Sequence, residues 1–282
     1  MPAAGLPDLP DLHIVPTESL QAHESVDMQR ADPLAERLRQ EGVLRNPPVV
    51  IPAGDRGACF VVLDGANRTQ ALQVLGLPHV LVQVVHAGAA AVELRTWNHV
   101  VRGVPPSALL ETIERYPEIA LVPSDRDRAA FNLSAGATLA YIELRRDRVL
   151  EVVAETRPLA WRVRNLSHLV TSYLSLGGVE RTSATQVERV GELYPDFAGL
   201  VVFRPFTVEE VVSAAANGWL LPAGLTRFVI TPRALRVNYP LDRLAAEIPL
   251  ADKQAELATW LQGRISGRHV RFYAESTFLF DE

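Results

Sequence analysis

The residues best equipped for chemistry in this chain are grouped at Asp64-Gly65-Ala66-Asn67-Arg68-Thr69. Gly65 lets the backbone approach a ligand closely, Arg68 offers a two-pronged donor, and Thr69 adds a hydroxyl. Such a set suits an anion, phosphate above all. Asp64 is the odd member, because a carboxylate repels phosphate unless a metal lies between them, which points to Mg²⁺ held by Asp64. The plainer reading of the same residues is a turn whose Asp caps a helix and whose Arg makes a surface ion pair. His23-Glu24 is a second candidate. Glu24 is a carboxylate able to take a proton from a hydroxyl if one comes within hydrogen-bond reach, although two polar residues after a strand are otherwise simply solvated. Trp97-Asn98-His99 lies on a predicted strand, where a core Trp is the ordinary explanation. Cys59 reads as a small buried apolar residue.

The elements around these residues follow from hydrophobic spacing. Residues 60–63 form an apolar, largely β-branched or aromatic run, then Asp64-Gly65 turns the chain. Ala71, Leu72 and Leu75 share one face of a following helix that Gly76 stops. A strand feeding a helix in this way puts free N–H groups and the positive end of the helix dipole at the strand's C-terminal end, beside Asp64. Upstream, a strand at 12–15 ends at Pro16, and Asp32-Pro33 open a helix that runs to Glu41. Strands follow at 49–51 and 79–85, with one more across 92–101. This mixed order predicts a compact α/β domain over 11–104. Val104-Pro105-Pro106-Ser107 marks a boundary. A second α/β domain over 105–282 is predicted from helices near 107–115, 159–176, 184–193, 208–216 and 252–261. Strands are expected at 119–122, 137–143, 148–154 and 201–203, with Thr207 capping the 208–216 helix and a short strand entered from the loop 221–228. The tail 270–282 is rich in aromatics.

Composition narrows the function classes. With 282 residues and 48% hydrophobic side chains, the chain can fill two ordinary cores. The net charge of −5 and the lack of a basic stripe argue against a nucleic-acid surface. A single cysteine rules out an intrachain disulfide framework or a multi-cysteine metal site. No apolar run is long enough for a membrane span, and the Pro-rich start has neither the basic region nor the apolar core of a signal peptide. A soluble, cytoplasmic protein is expected.

The pattern Leu63-Asp64-Gly65-x-x-Arg68-x-x-Ala71-Leu72-x-x-Leu75-Gly76 resembles the phosphate-binding motif of the ParB/sulfiredoxin superfamily. Its branches include ParB nucleotide-binding domains, sulfiredoxins and free L-serine kinases of the SerK and SbnI type. Several later segments resemble the last branch: Pro205-Phe206-Thr207, Pro222-Ala223-Gly224-Leu225-Thr226-Arg227, Arg233-x-Leu235-Arg236-Val237-Asn238-Tyr239-Pro240-Leu241, and the end from Tyr273 to Glu282. The likeness therefore runs along nearly the whole chain. It implies a ParB/sulfiredoxin-like N-terminal domain and phosphoryl transfer from ATP or ADP to L-serine, giving O-phospho-L-serine. It places the nucleotide phosphates over Gly65, Asn67, Arg68 and Thr69, with Mg²⁺ partly on Asp64. It makes Glu24 of the His-Glu pair the general base, and puts serine against Trp97, Thr226 and Arg227. Arg227 would pair with the serine carboxylate or the transferred phosphate, and Thr226 would be a neutral donor. Phe228 stands where such proteins often have His.

The other branches fit less well. Sulfiredoxin chemistry needs a cysteine inside the motif, where this chain has Ala66 and Asn67. A ParB partition protein should continue into basic helix-turn-helix modules, whereas strands and an acidic end follow here. The alternative from another class is a nucleotide-binding transcriptional regulator that keeps the fold without turnover; nucleic acid is a partner only in that case.

Overall fold

The computed structural model describes residues 9–25, 28–53, 59–86, 92–154 and 158–273. The stretch 274–282, with most of the C-terminal resemblance, and the Pro-rich 1–8 lie outside the described residues. The chain begins with β1 (Asp11–Pro16), a turn of 3-10 helix, β2 (Leu20–Ala22), α1 (Met28–Glu41), β3 (Val43–Leu44), β4 (Val49–Ala53), β5 (Cys59–Asp64), α2 (Ala66–Val74) and β6 (His79–Val84). Five of these strands form one sheet in the order β1-β6-β4-β5-β2. The pairs β1/β6 and β4/β5 run antiparallel, and β4/β6 and β2/β5 run parallel.

Strand β5 is apolar up to Asp64 because both of its faces are covered. Val62 packs with Ala35 and Leu38 of α1 and Leu72 of α2, while its neighbours Val61 and Leu63 point the other way. There they meet Ala215 and Ile230 from late in the chain. The alternation is the two-residue period of a strand, and burying each such side chain contributes about 1.5–3 kcal/mol. That clamping fixes the C-terminal end of β5, where Asp64 sits.

The chain continues through β7 (Val92–Thr96), β8 (Asn98–Arg102), α3 (Pro106–Glu114), β9 (Ile119–Ser124), α4 (Arg126–Ser134), β10 (Ala140–Glu143), β11 (Val149–Ala154), α5 (Leu159–Leu174), β12 (Gly178–Thr182), α6 (Val187–Leu193), β13 (Phe197–Phe203) and α7 (Val208–Ala216). It closes with β14 (Thr226–Ile230), β15 (Tyr239–Pro240), α8 (Leu241–Ala245) and α9 (Leu250–Ser266). A six-stranded antiparallel sheet has the order β12-β8-β13-β10-β11-β9. Strand β7 pairs with β14 in a separate ribbon. The mixed α/β class expected from the sequence is the class observed, and Thr207 caps α7 through a capping box with Glu210.

Some local expectations are corrected. Helix α1 starts at Met28 rather than at Asp32, so Pro33 lies inside it. Burial of Ala31, Ala35 and Leu38 outweighs the backbone hydrogen bond that Pro33 cannot donate. The single strand expected over 92–101 is two strands that belong to different sheets, with Trp97 between them. Nor do the sheets part at 104/105: β8 belongs to the six-stranded sheet. Conversely, Tyr239, Leu241, Leu244 and Leu257 from the end of the chain share a core with Ile14, Val62 and Leu81.

Candidate functional site

The turn after β5 is built around Gly65, whose φ of +94° lies in the left-handed region that glycine favours. A Cβ there would stand 3.0 Å from Arg68 Nη2 and 3.2 Å from Pro48 Cα, so the position is closed to larger residues on two counts. No side chain caps α2, which sets aside the reading of Asp64 as a helix cap. Its Oδ2 instead accepts from Arg68 Nη2 at 3.0 Å and from the Arg233 guanidinium. Burial pushes the Asp64 carboxyl up, but the charges of Arg233 and Arg68 overcome that and hold it below the usual carboxylate range. Arg68 also donates to the Asn46 carbonyl at 3.1 Å.

Opposite this turn, the segment after β2 pairs with the loop before β14. Leu221 N–H donates to the His23 carbonyl and Ser25 N–H to the Leu221 carbonyl, each at 2.9 Å. The half-buried Glu24 is thereby brought to Gly224, whose N–H donates to Glu24 Oε2 at 3.0 Å. His23 is buried, with Nδ1 2.6 Å from the Val62 carbonyl and Nε2 2.7 Å from Thr226 Oγ1. Burial lowers its pKa against the pull of Glu24, so the ring is neutral near pH 7. A carbonyl only accepts, which assigns the proton to Nδ1 and makes Nε2 the acceptor of the Thr226 hydroxyl proton. Thr226 therefore turns lone pairs to its surroundings, and the expectation of a neutral donor there is corrected to an acceptor.

His99 repeats the arrangement one strand away. Its Nε2–H donates to the Gly224 carbonyl at 3.2 Å and its Nδ1 accepts from the Tyr173 hydroxyl at 2.8 Å. Burial drops its pKa to about 4, which keeps it neutral. His99 is thus a support of the Gly224 loop, and Trp97 ties the same loop by donating its backbone N–H to the Leu225 carbonyl at 2.9 Å.

Glu24, Asp64, Gly65, Trp97, Thr226 and Arg227 all line one pocket of about 200 Å³, together with His23, Arg181 and Phe228. The Arg227 guanidinium lies 4.6 Å from the centre of the Trp97 ring, and Phe228 packs edge-on against His23 at 5.5 Å. Asn67, Arg68 and Thr69 follow the turn but stand off this wall. Thr69 is buried, and its hydroxyl has no partner among the described residues. Cys59 packs at the edge of a core but is only half-buried, less covered than the sequence suggested. A larger open hollow of about 740 Å³ between α8 and α9 contains none of the residues singled out from the sequence.

Arg233 and Arg181 were given no role by the sequence. Arg233 lies in a segment that resembles relatives but has no local chemical signal of its own. Arg181 sits on an edge strand among ordinary polar residues. For a metal, the pocket offers the carboxylates of Glu24 and Asp64, and no group of three or more His, Cys, Asp or Glu able to hold one occurs among the described residues. That donor set fits Mg²⁺ shared with ligand phosphates and water, not an all-protein cage.

No protein-family model matches the chain. In sequence it is similar to the ATP-dependent L-serine kinase SbnI of Staphylococcus aureus (strain NCTC 8325 / PS 47), with 24% identity over 277 residues, 96% of this chain and 97% of the relative. It is also similar to an ATP-dependent L-serine kinase of Staphylothermus marinus, 31% identical over 113 residues, 38% of this chain and 43% of the relative. Among solved structures, SbnI with a C-terminal truncation, from Staphylococcus aureus, superposes with a TM-score of 0.71 at 23% identity, over 91% of this chain and 97% of that one. A free serine kinase in complex with AMP gives a TM-score of 0.70 at 15% identity, over 86% and 98%. The chain has the fold of the free serine kinases. In sequence its similarity to SbnI runs along nearly the whole chain.

Proposed function

We propose that this protein is a free L-serine kinase that transfers a phosphoryl group from a nucleotide to L-serine, giving O-phospho-L-serine. The observation that carries this reading is the meeting of Glu24, held by the Gly224 N–H, with the Asp64 turn in one small pocket. Names of relatives similar over nearly the full length support it.

In this reading the turn after β5 and the start of α2 supply the nucleotide side, and the wall of Trp97, Arg181 and the start of β14 completes the serine side. The phosphates lie over Gly65, Asn67, Arg68 and Thr69, using the free N–H groups that open α2. Arg68 serves by holding Asp64. Asp64 would hold Mg²⁺ with the help of the phosphates, and the ion would supply neutralisation of charge on the transferred group. Glu24 takes the proton of the serine hydroxyl as that oxygen bonds to phosphorus. The bond from phosphorus to the nucleotide's bridging oxygen breaks, and the shortened nucleotide leaves. Thr226 Oγ1 accepts from the serine ammonium, and Arg227, steadied on Trp97, faces the transferred phosphoryl group. Most of the rate comes from positioning and charge stabilisation, as in other phosphoryl transfers. ATP is the donor carried by the names of both relatives, with ADP the competitor. The reaction is placed in the cytoplasm, where nucleotide and free serine meet; no helix among the described residues is long and apolar enough to cross a membrane.

The test is direct. The pure protein is incubated with Mg²⁺, L-serine and either ATP or ADP, and O-phospho-L-serine is measured by mass spectrometry. Absence of product with both donors overturns the reading.

A further inference from the structure

Arg181 and Arg227 both line the pocket, and neither pairs with a carboxylate among the described residues. Arg227 rests on Trp97, whereas Arg181 reaches in from β12, opposite His99 in the strand register. Its guanidinium lies against the bare backbone of Gly224: a Cβ at that glycine would stand 2.4 Å from Arg181 Nε and Nη2. Gly224 is also the residue whose N–H holds Glu24. Guanidinium, glycine and carboxylate thus follow one another along a single wall. An arginine at such a place, with its fork of donors uncommitted, takes its anion from the ligand.

We infer that Arg181 binds the α-carboxylate of the amino-acid substrate and so sets the requirement for a free amino acid. This rests on the serine kinase reading. In L-serine the hydroxyl and the carboxylate are borne on adjacent carbons. A hydroxyl delivered to Glu24 brings the carboxylate beside the residues that flank Glu24, which are Gly224 and Arg181. Arg227, on the Trp97 side, remains for the phosphoryl group. The product carries two anionic groups, and the pocket presents two guanidiniums without a salt bridge among the described residues.

The experiment compares the unsubstituted protein, Arg181→Gln and Arg181→Lys with L-serine and with L-serinamide, whose carboxyl is uncharged. The expected result is a rise in KM for L-serine of about ten- to a hundredfold in Arg181→Gln, the size of one lost charge-assisted hydrogen bond. kcat should stay within a few-fold, nucleotide affinity should not change, and Arg181→Lys should recover part of the loss. L-serinamide should be a poor substrate of all three proteins, to the same degree. An equal loss with L-serinamide, a fall in kcat at constant KM, or no effect would each overturn the assignment. Should the unsubstituted protein form no O-phospho-L-serine, the kinase reading fails by itself. Calorimetric binding of L-serine against L-serinamide to the same proteins then decides the carboxylate site alone: preference for L-serine that vanishes in Arg181→Gln upholds it, and equal binding overturns it.

Discussion

The turn at 63–68 and the loop at 221–228 face each other across the pocket, and each holds a carboxylate in a different way. Asp64 is gripped by two guanidiniums, from Arg68 and Arg233. Glu24 takes part in no ion pair among the described residues and accepts from one backbone N–H. A carboxylate stabilised by two cations holds its charge firmly and is a weak proton acceptor. One steadied by a single neutral amide is oriented without a paired cation. The same functional group can therefore serve as a fixed charge on one side and a base on the other. The difference between them comes from the neighbours each backbone segment brings.

The strongest way to break this comparison is Glu24→Gln, which keeps shape and can accept hydrogen bonds but cannot take a proton. Turnover is expected to fall about 10²–10⁴-fold, with nucleotide binding nearly unchanged. Glu18→Gln, in the turn between β1 and β2, should be almost silent. A larger loss in Glu18→Gln than in Glu24→Gln would move the base elsewhere.

The support of the Gly224 loop is tested by pH. His99 titrates at about 4 when folded, against 6.5 ordinarily, so the unfolded chain takes up its proton first as pH falls. Its contribution to stability is fully present above pH 6.5 and is lost progressively towards pH 4, reaching roughly 3 kcal/mol. The groups facing it are the Tyr173 hydroxyl, the Gly224 carbonyl and the Arg181 guanidinium, whose charge adds to the shift. Urea unfolding of the parent and of His99→Gln at pH 7 and pH 4.5 should show a smaller pH loss in the variant. Parallel curves would remove His99 from the account.

Asp64→Asn sharpens the other side. The substitution leaves Arg68 and Arg233 without their shared counter-charge, so Mg²⁺-dependent turnover should drop by about one to two decades. Nucleotide binding without Mg²⁺ should tighten, as phosphate takes the vacated partners. Normal Mg²⁺-dependent rates in this variant would show that Asp64 holds only the arginines. The smallest effect is expected for Arg68→Ala. The Asp64–Arg68 pair has side chains 40% and 21% exposed, so its loss should cost about 1 kcal/mol or less in stability. Nucleotide affinity, measured by calorimetry, should fall by about a decade through the displaced Asp64. An unchanged affinity would detach the turn from the nucleotide.

The turn could be read from sequence because everything that makes it is local. The apolar run of β5, Gly65 with its positive φ, and the helical spacing of Ala71 and Leu72 lie within one short stretch. The facing wall could not be assembled in that way. Glu24 meets Gly224, and Arg181 meets the same glycine, across long separations that no local period reports. The resemblance named Glu24, Thr226 and Arg227 without saying why they converge; the pairing of 23–25 with Leu221 is the reason. Thr226 was read with the wrong polarity because its proton is claimed by a histidine 203 positions away in sequence. Helix α4 escaped notice because only Ala129 and Leu133 are buried on it, too little for a visible apolar stripe. The division of 92–101 between two sheets follows from partners, β14 on one side and β12 and β13 on the other, that arrive much later in the chain.

That late arrival has a consequence for how the protein is made. The core beneath β1 and β6 is completed by Tyr239, Leu241, Leu244 and Leu257, and Gln254 of α9 bonds to the backbone of Ile14. On a ribosome, which releases the chain from its N-terminus, the five-stranded sheet must wait with an uncovered apolar face until α9 emerges. An apolar face left uncovered in this way is prone to aggregate and is the kind of surface that chaperones shield. Stop codons or proteolytic cuts near position 240 would leave the nucleotide side without part of its core, although no residue of the pocket had been removed.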